Sequence, residues 1–172
     1  MSTPKALDLH PDRLFPAEAG ARAIARRLYG QVAQLPIISP HGHTDPSWFA
    51  GNEAFANATE LLLVPDHYVF RMLYSQGIEL DALGIPRRDG SRSSIDPRAA
   101  WRLFASNFHL FRGTPSSMWL NHVFHEVFGL RERLDAGSAD RYYDHITAAL
   151  QQPGFRPRAL FDRFRIELLA TT

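Results

Sequence analysis

The sequence predicts an α/β fold: the N-terminal portion of a metal-dependent (β/α)8 barrel, with its first two strands separated by a large helical insertion. Three observations carry this expectation. The run Ile37-Ile38-Ser39-Pro40-His41-Gly42-His43-Thr44-Asp45-Pro46 is apolar, then ligand-bearing, then broken by Asp-Pro, as a strand-to-loop transition should be. Residues 165–172 (Arg-Ile-Glu-Leu-Leu-Ala-Thr-Thr) are nearly continuous in apolar content, the pattern of a strand buried on both faces. Between these two segments the chain is punctuated by helix caps rather than strand signals. A closed barrel needs at least roughly 200 residues. The chain has 172, so it is expected to be part of a larger protein.

The elements follow in order. Residues 1–16 contain three Pro and are expected to be loosely ordered. From Ala17 to about Ala33 the apolar residues Ala21, Ile24, Ala25, Leu28, Tyr29 and Val32 fall on one helix face. Pro36 closes the connection and Ile37-Ile38 opens the first strand. After Pro46, Asn57 or Thr59 caps a short helix through Leu63, and Asp66 caps a helix from His67 to about Gln76, stopped by Gly77. Residues 84–95 are turn-rich. Asp96-Pro97 places a cap before Pro at the first helical position, for a helix to about Phe111. Thr114-Pro115 repeats the device, for a helix to about Phe128. Ser138 caps another helix through Leu150, and Pro157 sits near the start of a last one over 158–164. The expected organisation is residues 1–46 as an N-terminal segment, helix and first strand, 47–155 as the helical insertion, and 156–172 as helix and second strand. Trp48, Trp101 and Trp119 are expected in the core of the insertion.

Composition excludes several classes. The chain is 45% hydrophobic and 22% charged, with a formal net charge of +1. That balance gives neither disorder nor a basic nucleic-acid surface. No apolar leader or long apolar span is present, which points to a cytoplasmic protein without membrane or nucleic-acid partners. With 0 Cys there is no disulfide framework, thiol nucleophile or Cys-based zinc site. A bound metal would rest on His and carboxylates, which suits zinc or a harder divalent ion. No Gly-rich phosphate loop and no serine nucleophile elbow is present.

His41 and His43 are the leading candidates for chemistry. On a strand, residues i and i+2 point to one face, so the two imidazoles converge, and neutral imidazole is the commonest metal ligand among side chains. Barrel active sites lie at the C-terminal ends of strands. Chance pairs of this kind do occur in a chain with 8 His. His122-Val-Phe-His125-Glu126 lacks the His-Glu-x-x-His order, and Phe124 and Phe128 mark it as a packing face. His109 and His145 fall on amphipathic helices and His10 in the N-terminal segment; none of the three is a strong ligand candidate.

The chain resembles the N-terminal part of a uronate (glucuronate) isomerase of the metal-dependent amidohydrolase superfamily. The resemblance is carried by Ala25-Arg26-Arg27-Leu28-Tyr29, by Pro36-Ile37 through Pro46, and by Asp66-His67-Tyr68-x-x-Arg71-Met72, the most specific block. It continues in Trp119, His122, Phe128-Gly129-Leu130 and residues 166–172. Two positions depart from it: the family usually has Asp where Ser39 stands and Cys where Gly42 stands. The resemblance implies aldose–ketose isomerisation of hexuronates, D-glucuronate to D-fructuronate or D-galacturonate to D-tagaturonate, by proton transfer through a cis-enediol in sugar-acid catabolism. It implies a divalent metal, zinc foremost, on His41 and His43, with a third ligand, an Asp, outside these residues. It implies His67 and Tyr68 as a catalytic pair whose division of roles stays open, and Arg71 as a residue that binds substrate. Without the resemblance, a His-Tyr pair at a helix start is more often structural, and Arg71 equally fits a salt link. A small-molecule hexuronate and a homo-oligomeric full-length protein are the implied partners. Two alternatives stand beside this: a metal-dependent hydrolase on the same barrel, and a non-catalytic helical module. The Asp-His-Tyr-x-x-Arg block favours the isomerase.

Overall fold

The computed structural model describes residues 5–92 and 94–171. Helix α1 (Ala19–Val32) starts where the Glu18 carboxylate accepts the Gly20 and Ala21 N–H groups at 2.7 and 2.5 Å. Strand β1 (Ile37–Ser39) follows, then the short helix α2 (Pro46–Gly51), capped by Asp45 with Pro at its first position. Asn57 caps α3 (Ala58–Leu62) and Asp66 caps α4 (His67–Ser75). A 3-10 turn over Leu80–Leu83 precedes α5 (Pro97–Ser106), capped by Asp96. Thr114 opens α6 (Pro115–His122); then come α7 (Ala139–Leu150), α8 (Pro157–Arg163) and strand β2 (Ile166–Leu169). Asp, Asn or Thr ahead of an apolar-periodic run therefore starts five of these helices, because each side chain satisfies N–H groups that a first helical turn leaves unpaired.

Two expected helices stop early. The helix from Pro97 ends at Ser106. There Ser106 Oγ donates to the Arg102 carbonyl at 2.8 Å and Asn107 Nδ2 to the Leu103 carbonyl at 2.9 Å, so side chains compete for the helix's own acceptors. A 3-10 turn over Phe108–Phe111 takes over and stacks residues three apart, which buries both Phe108 and Phe111. The helix from Pro115 gives way at Val123 to a π-turn over Val123–Val127. Phe128 N–H reaches the Val123 carbonyl at 3.1 Å, and Gly129 at φ 72° closes the end.

The chain forms two compact units: Met1–Asp8 with Ala54–Pro153, and Leu9–Glu53 with Gly154–Thr172. The first is helical and holds a closed aromatic core. Trp101, Phe104, Phe111, Phe124 and Tyr142 are fully buried there and meet mostly edge-on, as at 5.0 Å between the Phe124 and Tyr142 ring centroids. Trp101 Nε1–H donates to the Ala139 carbonyl at 3.0 Å and ties α5 to α7. Arg98 pairs with Asp140 and Asp144 across the same helices, and Arg102 joins Asp140 at 2.8 Å. The N-terminal segment is better held than its proline content suggests. Leu7 is buried, its N–H donates to the Arg131 carbonyl at 2.9 Å, and Arg133 N–H donates to the Lys5 carbonyl at 2.8 Å. Of the three tryptophans only Trp101 is in this core; Trp119 is 36% exposed, and Trp48 lies in the other unit.

The second unit is built on β1 and β2, paired in parallel with Ile37 opposite Ile166 and Ser39 opposite Leu169. Arg165, at φ 52°, enters β2 while its guanidinium donates to the Gln34 carbonyl at 2.7 Å beyond the end of α1. The expectation that residues 165–172 are buried on both faces fails here. Leu168 is 51% exposed, and Ile38 beside it 63%. The α1 stripe of Ile24, Leu28, Tyr29 and Val32 is exposed as well. Two strands and three helices supply too little apolar surface to cover one another. Thr172 lies outside the described residues. No helix among them is long and apolar enough to cross a membrane.

Candidate functional site

β1 stops at Ser39 and the chain bends at Pro40, so His41 and His43 stand in the irregular segment just past the strand rather than on it. The segment still follows β2: Ala170 N–H donates to the Ser39 carbonyl at 2.8 Å, and the Thr171 hydroxyl donates to the Thr44 carbonyl. Ser39 Oγ donates to the His41 carbonyl at 3.1 Å. Gly42 sits close to the neighbouring strand end; a Cβ there would come within 3.3 Å of the Ala170 carbonyl and 3.4 Å of Leu169 Cδ1. That side of the segment faces the end of β2.

The two rings converge. His41 Nε2 and His43 Nε2 are 3.0 Å apart, with ring planes at 81° and both residues exposed. Zinc–nitrogen bonds of about 2.0–2.1 Å meeting at a tetrahedral angle hold their nitrogens about 3.3 Å apart. The observed approach is thus within a few tenths of an ångström of a two-imidazole chelate. Asp45, two residues on, is turned the other way: its carboxylate caps α2 through the Ser47 N–H at 2.8 Å. Hydrogen bonds from the Ser47 hydroxyl and backbone hold that carboxyl below the usual carboxylate range. No group of three or more His, Cys, Asp or Glu among the described residues is placed to hold a metal, so within them the convergent set is the His41–His43 pair.

The second set of candidates starts α4. Asp66 Oδ1 accepts from Tyr68 N–H at 2.8 Å and Val69 N–H at 3.2 Å, fixing the first turn. Val69 and Leu73 are fully buried and anchor the helix by one face. His67 and Tyr68 stack at 4.2 Å between centroids, and Tyr68 is 65% exposed. Arg71, one turn on, is exposed and has no ion pair among the described residues, so its guanidinium fork is not engaged in a salt link.

Three of the remaining histidines make local hydrogen bonds. On the π-turn His125 Nδ1 lies 2.7 Å from Glu126 Oε1, and that hydrogen bond keeps the Glu126 carboxyl below its ordinary range. His145 Nε2 bonds the Phe128 carbonyl at 2.7 Å, and His10 Nδ1 accepts from Asp12 N–H at 3.0 Å. Sequence reasoning missed Arg158, which binds the end of α2; the only local signal is its place right after a helix-starting Pro.

Comparison with known proteins decides the family. The family model described as glucuronate isomerase matches residues 19–172. The chain belongs to the glucuronate isomerase family. The resemblance carried by the Asp66–Met72 block and the His pair is thereby borne out. The uronate isomerase of Xanthomonas euvesicatoria pv. vesicatoria (strain 85-10) is 78% identical over 166 residues, which is 96% of this chain and 35% of the relative. That of Phenylobacterium zucineum (strain HLK1) is 70% identical over 166 residues. The chain thus spans about a third of the length of the curated relatives it matches. Among solved structures, the glucuronate isomerase from Caulobacter crescentus superposes with a TM-score of 0.93 at 63% identity, covering 97% of this chain and 35% of that one. The uronate isomerase from Thermotoga maritima shares the fold at TM-score 0.80 and 24% identity. The α/β fold of many helices and two parallel strands is the one these family members have over the matched third of their length.

Proposed function

We propose that this chain supplies the imidazole pair and part of the substrate-handling residues of a hexuronate isomerase built on a (β/α)8 barrel. The observation that carries the proposal is the 3.0 Å approach of His41 Nε2 to His43 Nε2 in a chain of the glucuronate isomerase family. His41 and His43 would hold a divalent ion, zinc foremost, which when bound polarises a carbonyl or orients hydroxyls. Isomerisation of D-glucuronate or D-galacturonate moves a proton between C2 and C1 through a cis-enediol, and so needs a proton-transfer group and a donor for the developing oxyanion. His67 and Tyr68 share those tasks. Either the Tyr68 phenol or the His67 imidazole moves the proton, and the other donates to the substrate oxygen. Arg71 has a guanidinium fork suited to bidentate contact with the hexuronate carboxylate. Ser39, where the family usually has Asp, donates to the backbone rather than to a ring.

The test is a chimera. The matched region of the Xanthomonas enzyme is replaced by these residues, and ketose formation from both hexuronates is followed. The chimera is expected to isomerise, and His41→Ala or His43→Ala to lower kcat at least a hundredfold. Full activity in either variant would overturn the proposal. Hydrolysis of lactones or amides in place of isomerisation would favour the hydrolase alternative. The 172-residue chain by itself is expected to be inactive.

A further inference from the structure

We infer that Arg158 is the positioning residue that fixes the His43 side of the imidazole pair. The inference rests on the metal reading above only for what the pair binds. His43 leads through Thr44 and the cap Asp45 directly into α2, a helix of 6 residues. So short a helix is not stable by itself, and its far end must be held if its near end is to place a ring.

Arg158 holds it. From the first turn of α8 its Nε donates to the Phe49 carbonyl at 2.8 Å and its Nη2 to the Ala50 carbonyl at 3.1 Å. Two successive carbonyls at the end of α2, which the helix leaves unpaired, are taken by one planar fork. The contact is reciprocal. Asn52, the left-handed cap of α2 at φ 53°, accepts the Arg158 N–H on its Oδ1 at 3.0 Å, satisfying the unpaired start of α8. Phe49 and Phe161 meet edge-on at 5.9 Å beneath the clamp. The cation also lies at the negative end of the α2 dipole.

The consequence is a closed mechanical circuit. His41 is fixed from upstream, because β1 pairs with β2. His43 is fixed from downstream, because α2 is clamped to α8 and α8 leads within three residues into the same β2. Without Arg158 the downstream half keeps the Phe49–Phe161 packing, the Asn52 cap and the Thr171 hydrogen bond to the Thr44 carbonyl, none of which takes up the carbonyls at the far end of α2. Lysine would keep the charge but make a single point contact.

The test uses the whole chain with Arg158→Ala and Arg158→Lys, read by amide hydrogen exchange, 13C-labelled histidine NMR and cobalt(II) titration. Expected in the Ala variant are exchange about tenfold faster over 47–52, unchanged exchange over 98–106, a His43 ring signal shifted toward free imidazole, and cobalt affinity lowered about tenfold. The Lys variant should fall between. Unchanged exchange over 47–52 overturns the inference, as does faster exchange with an unmoved His43 signal, since the clamp would then order α2 without placing the ring. If the unsubstituted chain fails to bind cobalt, the metal reading falls; the positioning role is then decided by the exchange and ring signals alone.

Discussion

Asp66→Ala should loosen the turn that presents His67 and Tyr68, by an amount the hydrogen bonds specify. Asp66 Oδ1 accepts from Tyr68 N–H at 2.8 Å and Val69 N–H at 3.2 Å. Val69 N–H also has the Asp66 carbonyl at 3.0 Å, which the substitution leaves in place. Only Tyr68 N–H then needs a new acceptor, and at an exposed residue water supplies it. The cap therefore contributes near the middle of its usual range, about 1 kcal/mol. Removing a carboxylate from the positive end of the helix adds about 0.5 kcal/mol. Their sum of about 1.5 kcal/mol is roughly a tenfold rise in local opening. Asp66→Asn keeps the acceptor and loses the charge, so it should cost about 0.5 kcal/mol, roughly twofold. Amide exchange at Val69 and Phe70 measures both. An Ala variant that exchanges within twofold of the original, or an Asn variant as fast as Ala, would refute the reasoning. In the chimera, isomerase activity should decline in the same order.

Three further outcomes are expected. Trp101→Phe removes a hydrogen bond to the Ala139 carbonyl and leaves part of a fully buried aromatic cluster unfilled. It should cost the helical unit about 3 kcal/mol in urea unfolding, whereas Trp119→Phe, at a partly exposed site, should cost about 0.5 kcal/mol or less. Hydrogen bonds from Arg141, Arg102 and Arg98 hold the carboxyls of Glu132, Asp140 and Asp144, respectively, below their ordinary range. Folded values below unfolded ones mean stability that is present above the ordinary carboxylate range and lost as pH falls through the lowered folded values. Thermal melts from neutral pH downward should show this loss, reduced in high salt because the pairs are exposed. Arg71→Lys in the chimera should raise KM for hexuronates at least tenfold with a smaller change in kcat, because a point charge replaces a bidentate fork; an unchanged KM removes Arg71 from the substrate.

What the sequence made legible is local. Asp66, Asp96-Pro97 and Thr114-Pro115 start helices where they were expected to, because a cap is a contact between near neighbours; Asp45-Pro46, expected only to break the strand into a loop, starts α2 as well. The convergence of His41 and His43 was legible too, although the strand ends before them and the chain bends at Pro40. The break at Asn107 and the π-turn at Val123 were not legible. At the first, Ser106 and Asn107 turn their side chains onto carbonyls of their own helix, and both irregular turns bury phenylalanines (Phe108, Phe111, Phe124 and Phe128), a shared destination about which periodicity carries no information. The pairing of residues 5–7 with 131–133 and the grip of Arg158 on α2 join segments remote in the chain, where no local pattern reaches.

The bare stripe along α1 and the uncovered faces of Ile38 and Leu168 make this unit sticky. Each strand of a two-member ribbon also keeps one margin of N–H and C=O groups that the other does not satisfy, a template for further pairing. Stocks of the chain should therefore scatter more light as they are concentrated, bind environment-sensitive apolar dyes while folded, and attract chaperones that patrol greasy surfaces.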